Sequence, residues 1–198
     1  MSAAVVEQPH EQPTLLEAAD IISSQLVGHR VEIIGSQITV TPPANGPHSE
    51  SLTDVMVALL AAGLHGKTSR VLQAIGLWLP TGPSDYAIPD LVLVDGDYKD
   101  HHVEFNCYAP SAFRLVLEVT SSNHSDDVKR KPAVYASAGV PVYVIVDRRN
   151  RKIMVLTEPS DGEYRVHAIH HPGQSFTLPE SIGASVALDV DTVLGSEK

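Results

Sequence analysis

The sequence predicts an α+β fold, a mixed α/β domain in which helices flank a mixed central sheet. Three observations carry this reading. Helical patterns lie near the start, short apolar strands fill the middle and the end, and one helical segment is inserted between two strands. With 198 residues the chain can bury a substantial core in one domain. Hydrophobic residues make up 43% and charged residues 19%, as in a globular protein, and no apolar run approaches the roughly 20 residues needed to cross a bilayer. Residues 1–12 lack the basic and apolar regions of an export signal and read as a disordered leader. Residues 13–198 then form the single domain, placed in the cytoplasm and away from membranes.

Thr14 with Glu17 makes a capping box, and Leu15, Ala18, Ala19, Ile22 and Leu26 follow at helical spacing until Gly28. Val31 to Val40 has two β-rich arms about Gly35-Ser36 and reads as a hairpin. The stretch PPANGP breaks the chain, and from Ser51 the residues Leu52, Val55, Met56, Leu59 and Leu60 form the apolar stripe of a second helix ending at Gly63. Arg70–Leu79 and Asp90–Val94 are strand candidates separated by the turn-rich TGPSDYAIP, and the polar segment Asp95–Ser111 reads as a loop. A strand from Arg114, a helix over about Asp126–Ala138 and a strand over Pro141–Asp147 make a unit whose two strands would run parallel. The segments KIMVLTE, YRVHAIH and SVALDV continue as mostly antiparallel strands.

Within the strand RLVLEVT stands one carboxylate, Glu118. A charge in a buried strand costs several kcal/mol unless it is paired, protonated or bound to a cation. Asp90 is the best companion, at the first position of an apolar strand after Pro89, which holds the approach extended. Two carboxylates converging from adjacent strands form a hard-oxygen site suited to Mg²⁺ or Mn²⁺. Lys131 follows Asp127 by four residues, so a helix places both on one face with Tyr135 one turn further. Pro132 sits past the first turn of that helix and predicts a kink or a late start.

Each residue also has a plainer reading. Asp90 can be a strand-end cap, and Glu118 can be a structural ion pair with Arg114 or Lys131. Ser121, Ser122 and Asn123 most simply cap the following helix. Tyr135 and Tyr143 read as packing residues, and His48 as a cap or loop residue or else part of the site. His101, His102, His167, His170 and His171 lack zinc-site spacing and read as exposed positions. The lone Cys107 has no disulfide partner and reads as structural, in keeping with a reducing compartment.

A net charge of −10 argues against non-specific binding to nucleic acid, since phosphate affinity depends on Lys and Arg displacing counterions. Seven of the 14 basic residues nevertheless lie between Lys129 and Lys152, either as solvated positions or as a local phosphate-attracting patch.

The order PD, LEVTSS, D-x-x-x-K-P-x-x-Y and AGVPVYVIVD resembles the Uma-type putative restriction endonuclease family of the PD-(D/E)XK phosphodiesterase superfamily. Glu118, Ser121, Asp127, Lys131, Tyr135, Ala138-Gly139-Val140 and Tyr143 stand in that family's order, within a resemblance covering roughly residues 31–156. The resemblance implies a restriction-endonuclease-like core, and an Mg²⁺- or Mn²⁺-dependent endonuclease that hydrolyses phosphodiester bonds in nucleic acid, with DNA favoured. By it Asp90 and Glu118, with the backbone carbonyl of Val119, bind the metal. Lys131 stands in for the superfamily's lysine because the third position of the E-x-K element is Thr120, with Lys129 as competitor. Glu32, ahead of Glu50, supplies a further acidic residue. A homodimer is expected by analogy with double-strand cutters. The second reading is a nuclease-fold module that has lost catalysis and serves in binding or regulation, which the acidic balance and the missing E-x-K lysine favour.

Overall fold

The computed structural model describes residues 12–121 and 124–195; all but the last residue of the expected leader lie outside them, as do Ser122 and Asn123. Helix α1 spans Leu15–Gln25, with the Thr14 side chain accepting from the Glu17 N–H and Glu17 reaching back to the Thr14 N–H. Strands β1 (Arg30–Ile34) and β2 (Gln37–Thr41) form the expected hairpin. Gly35 and Ser36 both have positive φ, 56° and 59°, the geometry of the primed turns that suit the right-handed twist of paired strands.

Helix α2 spans Gly46–Ala61, five residues earlier than its apolar stripe suggests. Asn45 caps it by accepting from the His48 N–H, and Pro47 falls in the first turn, where a proline's missing N–H has no partner to lose. The proline-rich stretch is thus partly the start of a helix. Arg70–Leu79 is not one strand but two, β3 (Ser69–Leu72) and β4 (Gly76–Trp78), which belong to different sheets. The chain turns between them at Ala74, which has a left-handed φ of 56°. The turn-rich segment contributes the short β5 (Tyr86–Ala87) ahead of β6 (Leu91–Asp95). The expected loop after it carries β7 (His102–Glu104) and β8 (Cys107–Tyr108) between two 3-10 turns.

Strand β9 (Phe113–Val119) is followed by a π-helical turn, Asp126–Arg130, and helix α3, Lys131–Ser137. In an unbroken α-helix Pro132 would press on the carbonyl four residues back. Here the preceding turn is widened, and the Lys131 N–H donates to the Asp126 carbonyl five residues back. Strands β10 (Val142–Asp147), β11 (Lys152–Ser160) and β12 (Glu163–His170) follow, then β13 (Ser175–Leu178), β14 (Val186–Asp189) and the short α4 (Val190–Leu194).

The fold is mixed α+β, as the sequence predicts, with two large sheets. One runs β2-β1-β5-β4-β8-β7, the other β12-β11-β10-β9-β6-β3, and β13-β14 form a separate pair. In the second sheet β9 and β10 are parallel and their neighbours antiparallel. Alternation sorts the side chains of β9. Leu115, Leu117 and Val119 pack with Leu52, Val55 and Leu59 of α2 and Val190 and Val193 of α4. Val116 faces the other way, toward Tyr135 of α3 and toward Ile34, Leu77 and Ala87 of the first sheet, and Phe113 joins it because the register with β6 shifts between Leu93 and Val94. Glu118 shares this second face by the two-residue period and is fully buried there.

Buried Asp85 fastens the two halves of this layer. It accepts from the Gly35 and Ser36 N–H groups at 2.7 and 3.0 Å and from the Thr81 hydroxyl at 2.7 Å, which ties the β1–β2 turn to the segment leading into Asp90. Among the described residues no helix is long and apolar enough to cross a membrane.

Candidate active site

Strands β1, β6 and β9, helix α2, and the π turn with α3 bring ionisable side chains together between the sheets. Strand β1 contributes Arg30 and Glu32. Val31 and Ile33 pack with Ala19 of α1, so the alternate positions are turned toward β9. Helix α2 contributes His48 from its first turn, β6 the residue just before it, Asp90, and β9 Glu118. The π turn and α3 contribute Asp127, Lys131 and Tyr135.

Asp90 and Glu118 are cross-strand neighbours, since the register pairs Leu91 with Leu117 and its continuation by one residue sets Asp90 opposite Glu118. Asp90 Oδ2 accepts from the Val119 N–H at 2.8 Å, and Oδ1 accepts from Arg30 Nη1 at 2.7 Å. His48 Nε2 lies 3.3 Å from Asp90 Oδ2 without hydrogen-bond alignment, and neither ring nitrogen has a hydrogen-bond partner among the described residues. Glu118 Oε1 accepts from Lys131 Nζ at 2.7 Å and from the Tyr135 hydroxyl at 2.8 Å. Lys131 Nζ also lies 3.4 Å from Glu32 Oε1 and 3.3 Å from Asp127 Oδ1. Glu32 Oε1 accepts from the Ile88 N–H at 2.8 Å, which couples the hairpin to the approach to Asp90.

The other oxygen of Glu118, Oε2, is buried with no hydrogen-bond partner among the described residues, and Arg30 Nη1 stands 3.6 Å from it. The Thr120 hydroxyl is likewise buried and without a partner among the described residues. A cavity of about 270 Å³ opens onto this cluster, its wall including Arg30, Thr41, Asn45, His48, Asp90 and Ser121.

Burial opposes the charge on Asp90, but His48, Arg30 and the Val119 N–H outweigh it and hold the carboxyl well below the usual range. Burial, with Asp90 and Asp127, pushes the Glu118 carboxyl up, while Lys131 and Arg30 beside it favour its charged form. Burial also disfavours the ammonium of Lys131, yet Glu118, Glu32 and Asp127 together outweigh that and hold it protonated. A cation ringed by three carboxylates gives up its proton reluctantly, so Lys131 is equipped to donate a hydrogen bond and not to act as a base.

Of the sequence-derived candidates, Asp90, Glu118, Lys131, Glu32, His48 and Asp127 meet here, and Thr120 adjoins them. Lys129 and Glu50 are exposed. The Glu118–Lys131 ion pair of the plainer reading is present, whereas Arg114 pairs with Asp95 at 2.6 Å. His48 is not a loop residue but is buried against Asp90. Tyr135 and Tyr143 pack edge to face, with ring centroids 4.9 Å apart, and their hydroxyls serve the site as well. Tyr143 donates to the Asp127 carbonyl at 2.8 Å. A buried phenol needs such a partner, which is the signal by which both could have been found. Arg30 was not expected, and an arginine at the start of a hairpin carries no motif.

The basic cluster is divided. Lys131 is buried in the site, Arg130 donates to the Ile34 carbonyl, and Arg151 donates to the Gly195 carbonyl at 2.8 Å. Arg148 and Arg149 remain at the turn after β10, half-buried and exposed. That turn adjoins the site, because the Thr120 N–H donates to the Val146 carbonyl at 3.0 Å. Asp147 holds the turn by accepting from the Asn150 N–H at 3.1 Å, and His124 Nε2 meets the same carboxylate at 3.0 Å.

Among the described residues no group of three or more His, Cys, Asp and Glu side chains is gathered for a metal ion. The donor chemistry still suits a hard cation. Two carboxylates lie side by side, and one oxygen of Glu118 is buried with its hydrogen-bonding capacity unused.

A family model described as "Uma2: Putative restriction endonuclease" matches residues 21–191. The crystal structure of a putative nuclease from Anabaena variabilis, assigned to DUF820, is similar in fold, with a TM-score of 0.71. The alignment covers 92% of this chain and 98% of that one at 14% identity, a likeness of fold. No curated protein matches the sequence.

Proposed function

The chain belongs to the Uma2 family of putative restriction endonucleases, and from that premise we propose that it is an Mg²⁺- or Mn²⁺-dependent endonuclease hydrolysing phosphodiester bonds in DNA. One observation carries the reading above the rest. Asp90 and Glu118 sit at neighbouring strand positions with the Lys131 ammonium 2.7 Å from Glu118, beside a cavity that Asp90 lines.

Asp90, Glu118 and the Val119 carbonyl would hold the metal, which when bound neutralises charge on the scissile phosphate and lowers the pKa of a water. Lys131 keeps its proton and orients the attacking water by hydrogen bonding, its ammonium fixed by Glu118, Glu32 and Asp127. Tyr135 fixes the same Glu118 oxygen, so the carboxylate cannot rotate freely. His48, at the cavity wall beside Asp90, is placed to donate to a phosphate oxygen or leaving group. Two copies of such a site, as in a homodimer, would cut both strands of a duplex.

A cleavage screen over single-stranded, double-stranded and branched DNA, with Mg²⁺, Mn²⁺ or a chelator, tests this. Product is expected with metal and none with chelator. Absence of cleavage on every substrate, with retained binding of DNA, would instead support the non-catalytic module, the reading that the arginine between the two carboxylates favours.

The Arg148–Arg149 turn supplies the electrostatic contact with the phosphate backbone. Changing both to Gln should weaken DNA binding and flatten its salt dependence by about one to two log–log units. Single-turnover cleavage at saturating DNA should stay within a few-fold of wild type. Binding titrations across salt concentrations, paired with quenched-flow cleavage, check this; a large loss in the saturated rate would place these arginines in the chemistry.

A further inference from the structure

The least expected feature of the site is Arg30. Its Nη1 donates to the Ile88 carbonyl and to Asp90 Oδ1, both at 2.7 Å, and lies 3.6 Å from the unpartnered Glu118 Oε2. One nitrogen thus stands against both carboxylates proposed to hold the metal. Two buried anions on adjacent strands repel unless a cation separates them, and Arg30 is the cation set between them. Its anchor on the Ile88 carbonyl belongs to the segment that delivers Asp90, so the guanidinium is built into the site and is not a passing surface contact.

We propose that Arg30 is an internal competitor for the divalent ion: it satisfies Asp90 and Glu118 when no metal is bound, and metal loads only by displacing it from them. This rests on the metal-dependent reading above. Lys131 cannot take the same part, because it engages the opposite oxygen of Glu118 and is shared with Glu32 and Asp127. A competitor of this kind keeps two anions from unsettling the metal-free protein, and it sets a threshold of metal concentration below which the site stays closed. It also accounts for an observation otherwise at odds with a metal site, a carboxylate pair already occupied by a cation of the chain itself.

Mn²⁺ titration by calorimetry of wild type, Arg30→Met, Arg30→Lys, Asp90→Asn and the Arg30→Met/Asp90→Asn pair tests the competition without any assay of cleavage. Removing the competitor should tighten Mn²⁺ binding about tenfold or more, because the free carboxylates no longer have to be vacated. Arg30→Lys should fall between, and Asp90→Asn should abolish the gain in the paired variant. Melting followed in chelator and in millimolar Mn²⁺ guards against misfolding: Arg30→Met should melt below wild type in chelator and show the larger rise with Mn²⁺. Equal or weaker Mn²⁺ affinity in Arg30→Met, with wild type binding through Asp90, overturns the competition and leaves the metal-dependent reading intact. Failure of every variant to bind Mn²⁺, or binding indifferent to Asp90, overturns both.

Discussion

Replacing Asp90 by Asn should lower single-turnover cleavage by about 10³-fold or more and leave the protein folded. Asn keeps an oxygen that can accept from the Val119 N–H, the bond that Asp90 makes at 2.8 Å. It therefore avoids the roughly 1–3 kcal/mol penalty of an unpaired buried donor that Ala would incur. What it removes is charge. A divalent ion held by two carboxylates contributes several kcal/mol of transition-state stabilisation, and about 4 kcal/mol corresponds to about 10³ in rate. Asp90→Asn also removes the nearer of the two carboxylates beside Arg30 and leaves it with Glu118 Oε2 at 3.6 Å, so a modest fall in melting temperature in chelator is expected. The decisive comparison is the Mn²⁺-induced rise in melting temperature, present in wild type and lost in Asp90→Asn. A variant cleaving within tenfold of wild type, or one stabilised equally by Mn²⁺, would take Asp90 out of the metal site.

Much of this site is legible in the sequence because it is built from local signals repeated at several places. A carboxylate in an apolar strand, another after Pro89, and a lysine four residues beyond an aspartate each announce an unusual local demand, and the fold brings all three together. The parallel pairing of β9 and β10 follows from the helix inserted between them. The capping box at Thr14 and the turn at Gly35-Ser36 are likewise local chemistry, and both stand where the sequence places them.

What escapes the sequence is settled by distant partners. Arg30 meets Asp90 across sixty positions of chain, and nothing near residue 30 announces it. The split of Arg70–Leu79 between two sheets depends on which neighbours accept each half; an apolar run reads alike in either case. The short strands β7 and β8 lie in a polar stretch whose pairing is supplied by β4. The start of α2 was hidden differently. Pro and Gly there look like breakers until Asn45 is recognised as the cap that makes the proline a first-turn residue.

Loss of Lys131 should cost about 10²-fold or more in cleavage rate, the size expected for a positioned electrostatic or proton-donating group, with Mn²⁺ binding retained. It should also cost stability. Lys131 is 3% exposed and lies within 3.4 Å of carboxylate oxygens from Glu118, Glu32 and Asp127. Removing it leaves buried anions unpaired, a change worth about 3–5 kcal/mol, or roughly 6–20 °C in melting temperature for a chain of this size. Lys131→Ala must therefore be assayed well below its own melting point, where a loss of rate reports chemistry and not unfolding. Lys129→Ala should do little, since that side chain is exposed. The informative variant adds a lysine at Thr120. Thr120 is two residues beyond Glu118 and so on the same face, 4% exposed, with a hydroxyl that has no partner among the described residues. An ammonium there would approach Glu118 from the strand, whereas Lys131 approaches from the helix. Lys131→Ala/Thr120→Lys should recover at least a tenth of the lost rate and part of the lost stability, since the same carboxylate regains a cation. Recovery of stability without rate would mean that Lys131 serves only to neutralise Glu118. Recovery of both would show that the water is oriented by a charge at that point in space, whichever element carries it, and that the strand position could become a threonine once the helix supplied the lysine.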